Sequence, residues 1–204
     1  MLRVWGRENS INVQKVLWCC DELGLEHERI DAGGPFGFPD DYRSMNPNGL
    51  VPTISDDGFT LWESNTIVRY LCSKHGSGAL YPEDLRKRAD AGRWMDWQLG
   101  TLWAAMRPVF IGLVRTPPEM RDVAAIEAAR RQTADAWDIL EAHLEGRVYA
   151  LGEAFTMADI PLGVSIYRWL QLPVERPPIP NLEAYHWRLA ERTAFRERVM
   201  LPLT

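Results

Sequence analysis

Asn46-Pro47-Asn48-Gly49-Leu50-Val51-Pro52-Thr53-Ile54-Ser55-Asp56-Asp57-Gly58-Phe59-Thr60-Leu61-Trp62-Glu63-Ser64 is the stretch on which the fold turns. Two β-prone runs, Thr53–Ser55 and Phe59–Leu61, flank Asp56-Asp57-Gly58. Asp and Gly supply the tight reversal between them, so the pattern predicts an antiparallel hairpin. Upstream, Asn, Pro and Gly crowd together as they do in loops. Downstream, Ser64 is placed to open a helix that carries Ile67, Val68 and Leu71 on one face and closes near Gly76.

Toward the N-terminus, Leu2–Trp5 reads as a short strand, followed by a polar break through Ser10. Val13, Val16, Leu17, Cys20 and Leu23 then recur at helical spacing, with Gly24 where a helix end favours a residue tolerant of positive φ. A second strand fits His27–Ile30, giving a βαβ unit whose strands run parallel. Residues 31–49 are rich in Gly, Pro, Asp and Asn and read as loop, with one short irregular helix about Asp40–Met45. The first eighty residues therefore spell βαβ, loop, ββα.

After Tyr81-Pro82-Glu83-Asp84 the strand pattern ends, and helical stretches are expected at 85–107, 119–145, 157–170 and 181–192. The shift at 76–84 sets the expected boundary between an α/β domain, residues 1–79, and an all-helical domain, residues 85–204. Thr156-Met157-Ala158-Asp159 is a capping box, with Phe155 and Ile160 spaced as a hydrophobic staple, which predicts a helix start at Thr156. Its spacing from Thr156 accounts for Asp159 as a capping group rather than a catalytic carboxylate.

A net charge of −5 without a clustered basic stripe argues against nucleic acid as a partner. No apolar leader and no run of eighteen apolar residues is present, so the expectation is a soluble, cytoplasmic protein with no membrane partner. Cys19, Cys20 and Cys72 make neither a metal-ligand spacing nor an even disulfide set, and the histidines at 27, 75, 143 and 186 are scattered singly. A reducing compartment and no metal are expected.

The order and spacing of four segments resemble the cytosolic glutathione transferase family: Asn9–Leu17 leading to Asp21-Glu22-Leu23-Gly24-Leu25; Asn46–Pro52; Trp62-Glu63-Ser64; and Thr156–Asp159. The resemblance spans the chain. It implies a thioredoxin-like βαβ–ββα domain that binds glutathione as co-substrate, and a helical bundle domain that supplies most of the pocket for a hydrophobic electrophile. It also implies a homodimer and a role in detoxification. By the same resemblance Pro52 is cis, turning the backbone of Val51 toward the cysteinyl part of the tripeptide. Ser64, at a helix N-terminus, offers an anion site for the γ-glutamyl carboxylate, and Glu63 can accept from its ammonium.

Conjugation needs the thiolate of glutathione, because the thiolate is the nucleophile. Ser10 stands just before the first helix, where serine-type members, such as the phi and theta classes and nu-like bacterial proteins, carry their active hydroxyl. Asn12 matches an Asn of the nu-like members and either orients the thiolate or caps the helix. No Tyr occurs in 1–41, and Cys19 and Cys20 lie two to three turns downstream, so the tyrosine and cysteine mechanisms do not fit. Where phi-like members carry basic and amide groups for the glycyl carboxylate, this chain has Phe38, Pro39 and Leu50, leaving Arg43 or Lys15 as substitutes. Trp103, Met106, Arg107 and Phe110 are the expected wall for the second substrate, or equally a buried helix face. Glutathione-dependent dehalogenase, isomerase and peroxidase activities, or a non-catalytic binding module on the same fold, are the alternatives.

Overall fold

The computed structural model describes residues 1–204. Its elements run β1 (Leu2–Trp5), α1 (Ile11–Glu22), β2 (His27–Ile30), α2 (Tyr42–Met45), β3 (Thr53–Asp56), β4 (Phe59–Trp62) and α3 (Ser64–His75). The helical part follows with α4 (Leu85–Trp97), α5 (Trp103–Phe110), α6 (Val123–His143), α7 (Asp159–Gln171), α8 (Pro180–Ala190) and α9 (Thr193–Arg198). No helix is long and apolar enough to cross a membrane.

The four strands form one sheet in the order β2-β1-β3-β4. β1 and β2 are parallel, with Val4 opposite Arg29, while β3 runs antiparallel to both β1 and β4. That mixed topology follows from the connections: α1 provides the crossover a parallel pair requires, and Asp57-Gly58 provides the hairpin turn. Both turn residues have positive φ, 48° and 89°.

α1 sits between the two parts of the molecule, packing on α3 from the α/β part and on α7 and α9 from the helical part. Nine of its residues are buried, which is why its sequence is apolar beyond a single stripe. Trp18 is its deepest contribution: it is fully buried, with its ring 4.9 Å from that of Phe195 and 5.5 Å from that of Phe155. The close approach of α7 depends on Gly163, where a Cβ would stand 2.7 Å from the Trp18 ring. Cys19 on α1 meets Cys72 on α3, sulfur to sulfur at 3.6 Å, and all three cysteines are buried thiols.

A polar seam crosses the same apolar core. The Lys15 ammonium is fully buried and donates to Ser64 Oγ (3.4 Å), Asn65 Oδ1 (3.1 Å) and Gln98 Oε1 (3.0 Å). Gln98 passes the chain on to Ser165 Oγ on α7 at 3.0 Å, and Asn65 donates to the Met95 carbonyl at 2.7 Å. Each member is satisfied, as buried polar groups must be. No carboxylate lies within ion-pair distance of Lys15, and burial pushes its ammonium down to about 7.

Two expectations are corrected in the helical part. The stretch expected to end at 107 continues to 115, through wide turns at 98–102 and 111–115 that flank α5. Pro108 removes one backbone donor but does not stop the helix, because Met106, Val109 and Phe110 are buried around it and packing offsets the lost bond. The helix expected from Thr156 becomes regular only at Asp159. The capping box itself is present: Asp159 Oδ2 accepts from Thr156 N at 2.8 Å, and Thr156 Oγ1 accepts from Ala158 N at 3.4 Å. The box closes a turn ahead of the helix, and Asp159 is further fixed by Ala150 N (2.9 Å) and the Tyr185 hydroxyl (2.9 Å).

Candidate functional site

A cleft of about 400 Å³ opens where the N-terminus of α1 faces the α5 region. From the α/β side it is lined by Arg7, Ser10, Ile11, Asn12, Leu50 and Val51. Trp103, Arg107, Phe110, Ile111, Arg115 and Arg168 line it from the helical side.

Ser10 is the N-cap residue of α1, with extended backbone (φ −76°, ψ 126°), and its carbonyl accepts from Gln14 N at 2.8 Å. Its side chain, however, caps no backbone N–H of the helix. A serine at an N-cap normally spends its oxygen on the N2 or N3 amide. Here the hydroxyl is 8 % exposed and faces the cleft, so both it and the first-turn amides of α1 are free to meet a ligand.

The Val51–Pro52 peptide bond is cis, Pro52 is buried, and Val51 lines the cleft. The loop before it is held from beneath. Tyr42 Oη donates to the Leu50 carbonyl at 2.7 Å, and Asn46 Nδ2 donates to the same oxygen at 2.9 Å. Glu63, at the β4–α3 junction, has φ 73° and ψ 106°, a conformation non-glycine residues rarely adopt and one that concentrates at functional sites. It leaves the Glu63 side chain exposed and places Ser64 at the first position of α3. Ser64 Oγ donates to Asn12 Oδ1 at 3.2 Å, which joins the start of α3 to the cleft-lining residue of α1. Asn12 thus uses its side-chain oxygen on Ser64.

Of the four residues expected on the helical wall, Trp103, Arg107 and Phe110 are there and Met106 is not. At about 100° per residue, Met106 falls in the arc of Leu102 and Val109. All three are fully buried and turned into the core. Lys15 and Arg43 do not replace the missing loop cations either. Lys15 is enclosed beneath Ser64. Arg43 reaches the Pro47 carbonyl of its own loop at 3.4 Å.

The cations the sequence reading did not find are Arg7, Arg115 and Arg168. Arg168, on α7, is 2 % exposed and donates to the Asn9 carbonyl (2.6 Å) and Gln14 Oε1 (3.1 Å). Its guanidinium lies 4.9 Å from the centre of the Phe110 ring, and that of Arg115 lies 5.1 Å from the same ring. Burial, with Arg115 and Arg7 adding repulsion, pushes Arg168 down to about 9. Burial and Arg115 likewise lower Arg7. Only contact across the fold marks this group, because the three residues are far apart in sequence, at 7, 115 and 168, and belong to no motif.

Residues 9–74 match the model of the glutathione S-transferase N-terminal domain, and residues 123–188 match that of the C-terminal domain. The glutathione S-transferase GstB of Escherichia coli K12 is 43 % identical over 208 residues, covering 100 % of both chains. This chain belongs to the glutathione S-transferase family. Among solved structures, a theta-class glutathione S-transferase from the citrus canker pathogen Xanthomonas axonopodis pv. citri, with glutathione bound, superposes with a TM-score of 0.96. It is 45 % identical, covering 100 % of this chain and 99 % of that one. The apo form of the Xanthomonas enzyme gives a TM-score of 0.88 at 42 % identity, covering 100 % and 98 %. The glutathione S-transferase D7 of Drosophila melanogaster is 32 % identical over 69 % of this chain and 62 % of its own. The architecture expected from the sequence, a thioredoxin-like α/β domain followed by a helical one, is therefore the fold of this family.

Proposed function

We propose that the protein conjugates the thiolate of glutathione to small electrophiles, with Ser10 donating a hydrogen bond to the sulfur. The observation that carries this reading is the uncommitted Ser10 hydroxyl at the floor of the cleft, at the N-terminus of α1. A thiol titrates near ~8.5, so only a few per cent is ionised at neutral pH. Lowering that value by about two units takes roughly 2.7 kcal/mol. One hydrogen bond to an anion contributes about 1.5–3 kcal/mol and a helix N-terminus about 0.3–2 kcal/mol. The hydroxyl and the α1 terminus together are sufficient.

The tripeptide is held along the α/β wall. Val51, set by the cis peptide, pairs its backbone with the cysteinyl unit. The first-turn amides of α3, which Ser64 opens, take the γ-glutamyl carboxylate, and Glu63 takes the ammonium. Asn12, bonded to Ser64, keeps the two subsites in register. Residues 1–79 then form the glutathione-binding domain and residues 85–204 the domain that completes the electrophile pocket, with Trp103, Arg107 and Phe110 as its wall. We further place the protein in the cytoplasm as a homodimer, which a mass from light scattering near twice 23.4 kDa would support.

Retention on immobilised glutathione, together with conjugation of 1-chloro-2,4-dinitrobenzene, tests the reading. Ser10→Ala should keep retention and lose most of the turnover. Full turnover by Ser10→Ala would remove the serine from the mechanism, and retention without turnover by the unmodified protein would make it a binding module.

A further inference from the structure

Four arginines, Arg7, Arg107, Arg115 and Arg168, face the cleft, and no carboxylate does. None of the four meets an Asp or Glu side chain: the ten acid–base contacts occupy eight other arginines, Lys74 and the N-terminal ammonium, and Arg115 donates to a main-chain oxygen of Thr204 at 3.3 Å. Unpaired cations brought together repel, and a buried one costs more still unless an anion joins it. Arg168 gives the second, independent sign. Its Nε is a buried donor without a partner, on a side chain that is 2 % exposed. Native structures rarely leave such a donor idle.

From this geometry we infer that the second substrate is an anionic electrophile, a flat apolar molecule bearing a carboxylate or sulfonate, rather than a neutral hydrophobic one. This deepens the function proposed above and rests on it for the chemical step. Three of the four arginines come from the helical part, opposite the Val51–Ser64 side assigned to glutathione. Phe110, with two guanidinium groups near 5 Å from its ring centre, and Trp103 supply the aromatic contact. Guanidinium forks match planar oxyanions bidentately, so the head group is fixed while the reactive carbon turns toward Ser10. In the reaction the sulfur lone pair forms the new S–C bond as the bond to the leaving group breaks. The leaving group departs with its electron pair, and the thiol proton has already gone to solvent.

A matched pair of probes tests the charge alone. Binding of 3,5-dinitrobenzoate and of neutral 1,3-dinitrobenzene, followed by quenching of tryptophan fluorescence without glutathione, should favour the anion by about tenfold or more, the size of one good charge-assisted hydrogen bond. Turnover of 4-chloro-3,5-dinitrobenzoate and of 1-chloro-2,6-dinitrobenzene should show the same preference in KM. Arg115→Gln, at an exposed position, should reduce the anion-to-neutral ratio by about tenfold, and Arg115→Lys should restore part of it. Added salt should shrink the preference as well. Equal binding of the two probes overturns the inference. So does a ratio that survives both Arg7→Gln and Arg115→Gln, or an Arg115→Gln effect confined to the KM for glutathione, which would give the arginines to the tripeptide. Ser10-dependent conjugation without anion preference sinks this inference alone. Anion preference without Ser10-dependent conjugation sinks the proposed function and leaves the anion site standing.

Discussion

On the α/β side the cleft presents a hydroxyl, an amide side chain, one guanidinium group and the backbone beside a cis proline, whereas on the helical side it presents aromatic rings and three guanidinium groups. The first wall works through positions: Ser10 lies at the mouth of α1, Ser64 at the mouth of α3, and Val51 before the cis bond. Each is useful because of where the backbone leaves it, Ser10 and Ser64 with free N–H groups and a helix dipole aimed outward. The second wall works through side chains that differ in nature from the surface around them. One wall suits a ligand that is always the same, and the other can change its clientele by changing a few side chains.

The two walls are nevertheless mechanically joined by α1, and the largest expected effect follows from that. Trp18→Ala should cost about 3–5 kcal/mol, since the ring fills the space between α1, α7 and α9. Urea unfolding followed by both far-ultraviolet dichroism and tryptophan emission should show one shifted transition for the two probes. Two separate transitions would mean that the walls belong to independently folding units, and the comparison would have to be redrawn around that.

Next in size is Ser10→Ala, which should lower kcat/KM for glutathione conjugation by about 10- to 100-fold, equivalent to one hydrogen bond to an anion. A substitution on the opposite wall should act differently, raising KM for one class of electrophile and leaving the pH dependence of the thiolate unchanged. If Ser10→Ala left that pH dependence in place, the division of labour between the walls would fail.

The difference between the walls also explains what the sequence disclosed. Gly, Pro and β-prone runs around Asp57-Gly58 fixed the hairpin, and the cap residues marked where α1 and α3 begin, because turns and helix ends are local events with their own residue preferences. The positions of Ser10 and Ser64 at helix starts are such events and were legible, whereas Val51 came from the family resemblance. The helical wall is not built from them. With the helix expected to stop at 107, Arg115 fell outside it; it reaches the cleft because the helix runs on. Arg168 fell in a stretch read only as helix, and Met106 stood open between wall and buried face, because which face of a helix meets the cleft is decided by neighbours far away in sequence. Lys15 is the extreme case: a lysine in a helix reads as solvated, and this one is fully buried.

Lys15 gives the third prediction. Its pKa falls from 10.5 to about 7 in the folded protein. Between those values the unfolded chain holds a proton that the folded one does not, so stability rises with pH, by at most about 1.4 kcal/mol per pH unit. The stabilisation is complete above 10.5 and is lost as pH falls to about 7. The unfolding free energy measured at pH 7, 8 and 9 should therefore rise with pH relative to that of Lys15→Met. Titration of the buried thiols is common to both proteins and cancels in the difference. Parallel curves would show that the ammonium stays charged within the seam, a permanent counter-charge beneath Ser64.

The smallest expected effect isolates what is peculiar to the α/β wall. Asp84 and Asp122 are N-caps as well, and each spends a carboxylate oxygen on a backbone amide of its own helix, Lys87 N and Ala125 N, at 2.9 Å. Asp84→Ala should therefore lower stability by about 1 kcal/mol and leave conjugation untouched, because the group it removes serves only the helix. Ser10→Ala, at an equivalent position in α1, should do the reverse, leaving the unfolding midpoint within about 0.5 kcal/mol of the parent, as for surface substitutions that break no bond. The contrast arises because a cap hydroxyl that bonds its own helix cannot also bond a ligand: the helix forgoes a little stability at Ser10, and the cleft gains a donor. If Ser10→Ala destabilised the fold as much as Asp84→Ala does, the hydroxyl would be a working cap in solution, and the donor assigned to the thiolate would have to be sought among the first-turn amides of α1 instead.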